Sequence, residues 1–407
     1  MKKPRYLEIE GRSAGFLLLM TILLAFIAAG AGAFMYMEHN GHWVTGMNNQ
    51  IVWGLPHVFA VFLIVAASGA LNVASISSVF NRKIYKPLAP LSAVLAVSLL
   101  LGGLLILVLD LGRPERLIIA MTTYNPKSIF AWNILLYNGF FGIVLVYLWL
   151  MLERRFNKYS SYAGLFAFVW RLVLTTGTGS IFGFLVARSA FDTAILAPMF
   201  IIFSFAYGLS IFALVVLAAY TWTGRELGDA IVKRMRNLLG VFIAASLYFV
   251  LVYHLTNLYI TKEHGVEKFI LAGDTIFTKL FWIGQILIGG VIPLILVYMK
   301  GIKARSALLI ASVLVIAGGF AQMFVTIIGS QAFPIPIFPG KIVHSTFYDG
   351  VVNLYTPSKP EILLGLGGVA VAILVVVIAM KNLHLLPESL ADEEIDPHYT
   401  PASESAA

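Results

Sequence analysis

Residues 88–116 read LAPLSAVLAVSLLLGGLLILVLDLGRPER. No charged residue occurs from Leu88 to Leu109; Asp110, Arg113, Glu115 and Arg116 then follow in quick succession. About 20 uncharged, apolar residues is the length at which an α-helix crosses the hydrocarbon of a bilayer. The run closes on Leu111-Gly112-Arg113-Pro114, where Gly suits a helix C-cap and Pro cannot continue the helix. Along the chain, runs of this kind fall at 14–37, 51–79, 88–109, 128–152, 162–187, 194–221, 237–260, 274–299, 305–328 and 361–381. The fold class expected is therefore all-α, a polytopic membrane protein with about ten transmembrane helices. Glycine inside the runs, densest at Gly102-Gly103 and Gly289-Gly290, suits close helix packing in lipid.

Composition agrees. The 407 residues are 59% hydrophobic and 12% charged, with mean hydropathy +0.89, whereas soluble domains carry about 25% charged residues. The net charge of +8 does not require nucleic acid, because basic residues collect on the cytoplasmic side of membrane proteins. The first apolar run, Phe16 to Met37, exceeds the roughly 7–15 residues of a signal-peptide core, so it reads as a retained span. Residues 1–386 read as one integral membrane domain, with 387–407 a flexible, acidic, then small and polar cytoplasmic tail. The proline- and aromatic-rich stretch 329–360 reads as an ordered cap or partner surface.

Loop charges set the orientation. Lys2, Lys3, Arg5 and Arg12 share one side with Arg82, Lys83 and Lys86, with Arg154, Arg155 and Lys158, with Arg225, Lys233, Arg234 and Arg236, with Lys300, Lys303 and Arg305, and with Lys381. The other side has about half as many, so the first side, and with it both termini, is expected to face the cytoplasm.

Polar groups at membrane depth are costly, so each is a functional candidate. The richest group lies at the outward ends of the second to fourth runs: Trp53 and His57, then Asp110 and Arg113, then Trp132, Asn133 and Tyr137. If those runs are neighbours, one pocket holds an imidazole, a carboxylate, a guanidinium, an indole and a phenol. A quinone needs hydrogen-bond donors at its two carbonyls and apolar walls, and a quinol needs a base for its protons, a role open to His57 or Asp110. A structural reading stands beside this one: Asp110 with Arg113 as an ion pair at a helix end, Trp53 and Trp132 as interface anchors. Arg171, His254 and Glu361 are further candidates, for a proton path; Asn72, Gln285 and the hydroxyls of Thr175 and Ser180 serve equally as helix–helix hydrogen bonds.

The absence of cysteine excludes a Cys-ligated iron–sulfur cluster, a c-type haem and a disulfide. A bis-His haem b needs two His on facing helices, and only His57 and His254 lie within apolar runs. Two stacked haems are excluded, and the expectation is a chain with no haem, cluster or metal of its own.

Several strings resemble the membrane subunit of polysulfide reductase and its relatives, the NrfD/PsrC family: the Trp53-Gly54 opening, Leu101-Gly102-Gly103 leading into Leu109-Asp110-Leu111-Gly112-Arg113-Pro114, and Ser128 with Trp132. Phe281-Trp282 and Pro360-Glu361 resemble its longer, ten-span branch, which includes subunits of hydrogenase- and sulfite-reductase-associated complexes. The resemblance implies two four-helix bundles, runs two to five and six to nine, flanked by runs one and ten. It implies menaquinone or ubiquinone bound near the outer face by His57, Asp110, Arg113, Trp132 and Tyr137, beside a ferredoxin-like iron–sulfur subunit. Asp110 and His57 would handle protons, and the chain would act only within an oxidoreductase complex of respiratory or sulfur metabolism. A secondary transporter and a purely structural anchor are the rival readings. Transporters place their polar site near the midplane, and the best cluster here lies at one face.

Overall fold

A computed structural model of the chain describes residues 4–80, 82–335, 338, 341 and 350–396. Among them ten helices are long and apolar enough to cross a membrane. They are α1 (Ala14–Asn40), α2 (Leu55–Ser78), α3 (Lys83–Leu109), α4 (Ile129–Leu152), α5 (Asn157–Gly183), α6 (Leu196–Thr223), α7 (Asp229–Tyr259), α8 (Ile276–Tyr298), α9 (Ala304–Ala332) and α10 (Lys359–Asn382). The bounds track the apolar runs except at α7. That helix begins at Asp229 rather than 237, because Lys233, Arg234 and Arg236 extend it beyond the apolar stretch instead of ending it. Backbone hydrogen bonding does not stop where hydrophobicity does.

Helices α2 to α5 pack in a ring, as do α6 to α9. The two bundles meet along α2 and α6, where Gly69 lies against Gly208: a Cβ on Gly69 would be 3.2 Å from the Gly208 Cα and would collide with the Ser204 carbonyl. α10 packs on α3 and α2, and α1 packs on α10, so both peripheral helices share one flank. α2 is the central helix, with 89% of its apolar window buried, against 11% for α1. Large apolar side chains such as Leu17, Leu18, Leu145, Val169, Tyr248 and Ile283 are exposed on the outside, as a lipid solvent allows.

Five helices depart from regular α geometry; α3 opens as a 3-10 helix over Lys83–Leu88 and α5 over Asn157–Tyr159. α2 breaks at Leu71. α8 is a π-helix over Leu280–Val291, and α9 is one over Val325–Gly329.

The first and last described segments lie together. Strand β1 (Tyr6–Leu7) pairs antiparallel with β3 (Leu386–Pro387), and β2 (Glu226–Leu227) pairs parallel with β4 (Ser389–Leu390). The expected flexible tail therefore does not begin at 387. Leu386, Leu390 and Ile395 are buried, Tyr220 donates to the Pro387 carbonyl at 3.1 Å, and Asp392 accepts from the Ala230 N–H at 2.9 Å. Acidic composition masked apolar residues spaced to fit the bundle end. Residues 397–407 of the expected tail lie outside the described residues, as do Pro336, Pro339 and the 342–349 segment of the expected cap.

Candidate functional site

At the end of the molecule opposite the termini, the chain before α2 is pinned by side chains from remote elements. Gln331 accepts from the N–H groups of Val52 and Trp53, each at 3.0 Å, and donates to the Trp53 carbonyl at 3.0 Å. Gln50 donates to the Gln331 carbonyl at 3.0 Å. Arg188 donates to the Gln50 carbonyl at 2.6 Å and the Gln331 carbonyl at 3.1 Å; burial pushes its guanidinium below the usual range. The first free N–H of α2, on Leu55, donates to the Tyr355 hydroxyl at 2.6 Å. That hydroxyl donates in turn to Glu361 Oε1 at 2.6 Å. Glu361 Oε2 accepts from the N–H groups of Gly46 at 2.8 Å and Ser358 at 2.7 Å, in a capping box at the start of α10. Burial and then Glu361 raise the Tyr355 hydroxyl far above its ordinary value.

His57 and Asp110 meet on this frame. His57 stands in the first turn of α2 and Asp110 at the C-cap of α3. His57 Nδ1 is 2.9 Å from Asp110 Oδ2, and the Asp110 side chain is 1% exposed against 22% for His57. The approach is too far off line for a hydrogen bond, so His57 Nδ1 and both Asp110 oxygens stay without a hydrogen-bond partner. The contact is thus a close electrostatic one. A carboxylate at a helix C-terminus is disfavoured by the macrodipole, and the imidazole is the group set against it.

Two residues on, Gly112 takes φ +69°, a left-handed turn that favours glycine. The His42 ring lies over it, 3.3 Å from where a Cβ would stand, and His42 Nε2 is a further buried nitrogen without a partner. Trp53 stacks on His57 with ring centres 6.0 Å apart, and Phe182 meets its edge at 5.8 Å. Phe130 and Phe191 complete this aromatic wall. Buried polar atoms are almost always paired. Unpaired donors and acceptors gathered beside aromatic rings fit a flat ligand with oxygens on its rim.

The structure brings together two of the five expected site residues. Arg113 does not pair with Asp110: the Gly112 turn carries it outward, and among the described residues it makes no ion pair. Trp132 is half exposed, and its indole N–H donates to the Pro126 carbonyl at 2.8 Å. Tyr137 is buried between α4 and α5, its hydroxyl 3.3 Å from Thr178 Oγ1. The indole beside His57 is that of Trp53, not Trp132. Sequence reasoning passed over His42, Gln50, Arg188 and Tyr355, because loop polar residues carry no periodicity that singles them out, and Gln331, because the last turn of α9 lies beyond the apolar run 305–328.

Comparison with known proteins places the chain in a family. The family model described as polysulphide reductase, NrfD, matches residues 43–336. The chain belongs to the NrfD family. It is 30% identical over 394 residues to the Hdr-like menaquinol oxidoreductase integral membrane subunit of Archaeoglobus fulgidus, covering 96% of this chain and 98% of that one. It is 27% identical to a protein of Halobacterium salinarum described as a putative membrane subunit of dimethyl sulfoxide reductase, over 89% of this chain and 90% of the relative. It is 24% identical to a selenate reductase subunit of Mesobacillus selenatarsenatis, over 92% of this chain and 95% of the relative.

In this NrfD-family chain the remaining candidates divide. Glu361 is fully buried and its two oxygens are committed to the latch above, so it reads as a structural cap. Arg171 is buried; it donates to the Ser68 carbonyl at 3.2 Å and lies over the rings of Phe168 and Phe205 at 5.0 and 5.1 Å. Ser68 precedes the break in α2, so the guanidinium caps a carbonyl end inside the bundle, where positive charge complements the helix dipole. His254 lies in the second bundle, 2.7 Å from Glu267.

Proposed function

We propose that this chain is the quinone-interacting membrane subunit of an electron-transfer complex, with menaquinone or ubiquinone engaged at His57 and Asp110. The observation that carries the reading is the gathering of unpaired buried atoms, His57 Nδ1, both Asp110 oxygens and His42 Nε2, beside Trp53. Family membership and the menaquinol oxidoreductase relative support it. When bound, a quinol supplies two electrons and two protons. Asp110 accepts the two hydroxyl protons in turn, His57 holds each at Nδ1 and passes it toward the surface that its partly exposed ring reaches, and Trp53 walls the ring. His42 orients the headgroup. The electrons leave to a ferredoxin-like iron–sulfur subunit on this face, and the termini lie in the cytoplasm, where the Lys/Arg excess falls.

Asp110→Asn in the assembled complex tests the reading. It keeps the side-chain size but removes the basicity. Quinol-linked electron transfer should fall about 10²-fold or more, the scale of a lost acid–base group, while electron exchange between partner centres and soluble dyes persists. Arg113→Gln, which alters an exposed side chain, should leave turnover near wild type. Normal quinol turnover in a fully assembled Asp110→Asn complex would leave Asp110 as a helix cap only.

A further inference from the structure

Glu267 comes from the short helix His264–Ala272, yet it is almost fully buried. One oxygen is 2.7 Å from His254 Nδ1, and the other accepts from Asn257 Nδ2 at 2.8 Å. Tyr253 and Phe281 close over the imidazole with ring centres 4.8 Å away. The other charged groups facing the pair are Glu263, also buried, and at the surface Asp192 with Lys262.

Beneath the pair lies a cavity of about 20 Å³, lined by His254, Gln285, Gln322, Thr326 and Ser330. A second of about 20 Å³ continues inward past Gln285 and Gln322 to Tyr207 and Ser246. Each has room for one water, which needs roughly 10–15 Å³ by this measure, and neither has room for a quinone ring.

The lining is short of partners. Gln285 is nine-tenths buried, borders both cavities, and makes no side-chain hydrogen bond among the described residues; nor do His254 Nε2, Thr326 or Ser330. Tyr207 donates to Gln322 Oε1 at 2.7 Å, leaving the Gln322 amide nitrogen free toward the cavities. Buried polar groups without protein partners are the sites that internal waters fill. The π-helical stretch of α8 borders both cavities, and that of α9 contributes Val325 and Thr326 to the first; such a widening is common at functional sites.

We propose that the second bundle contains a water-filled proton passage, leading from the Glu267–His254 pair through Gln285 and Gln322 to the membrane midplane. Glu267 and His254 exchange a proton with the face that carries Asp192 and Glu263. His254 Nε2 hands it to the first water, and Gln285 and Gln322 hold the two waters in line. No electron moves and no bond other than O–H and N–H is made or broken.

The cysteine-free chain makes this testable in intact membranes. Single substitutions Ser330→Cys, Gln285→Cys and Ser246→Cys are probed with silver ion added on the Glu267 face, beside Ile283→Cys on the lipid side of α8. A passage edged by carboxylates should concentrate cations about tenfold or more, so the first three thiols should react at least that much faster than Cys at 283. Glu267→Gln should slow them severalfold. Ser330→Cys and Ser246→Cys are near-isosteric, so folding failure at Gln285 does not remove the test. Equal, slow reaction at all four positions overturns the passage. For the proton itself, infrared difference spectra between acid and neutral membranes should contain a carboxyl band that Glu267→Gln removes; a spectrum unchanged by that substitution overturns the pair as proton carrier. Neither measurement uses quinone or a partner, so each stands apart from the His57–Asp110 reading.

Discussion

For single residues, charge and burial separate chemistry from scaffolding more sharply than motif membership does. That Asp110 and His57 meet was legible because a carboxylate and an imidazole closing apolar runs at one face have few cheap explanations; their role is the proposal above. Arg113 was misread because adjacency in a string says nothing about direction after a left-handed glycine. Arg171 was legible as unusual but not as a cap, since the break in α2 that needs it leaves no composition signature. That break yields a prediction. Arg171→Met keeps much of the volume but strips the Ser68 carbonyl of its donor, so stability should fall by about 1–3 kcal/mol, the cost of an unsatisfied buried group. Thermal denaturation in detergent measures it, and the folded fraction should retain quinol turnover; lost turnover at unchanged stability would return Arg171 to a proton path.

Among the elements, the helices were readable from apolar length, and their irregularities were not. π-helical stretches and the α2 break depend on which neighbour takes each freed carbonyl, which is tertiary information. Gly69 and Gly208 are different: glycine inside spans is visible in the sequence, and its use here is the approach of α2 to α6 that joins the two bundles. Gly208→Leu would drive a side chain into the backbone of Gly69 and Ala70. Overpacking costs about 1–3 kcal/mol even where neighbours can shift, and here the obstacle is backbone. The variant should show a lowered melting temperature and faster proteolysis between the bundles, while Gly142→Leu, which faces open space, should behave as wild type.

For the molecule as a whole, orientation is the property on which both proposed sites depend, because each opens at the end opposite the termini. The pairing of β1 with β3 brings the two termini to one end, which requires an even number of crossings, and ten helices supply it. Which compartment that end faces follows from loop charge. Basic residues cross a membrane reluctantly during insertion, so we propose that the richer side is the cytoplasmic one; it carries Arg154, Arg155 and Lys158, and Lys300, Lys303 and Arg305. Lys300 closes α8 at the termini end, whereas Lys341 follows α9 at the site end. A reporter active only in the cytoplasm should therefore be active when fused after Lys300 and silent when fused after Lys341, with an export-dependent reporter giving the opposite pair. Equal signals at the two positions would remove a crossing between them and break the ten-helix topology. A clean reversal would keep the fold but turn His57, Asp110 and Glu267 toward the cytoplasm, and the iron–sulfur partner would then have to dock there.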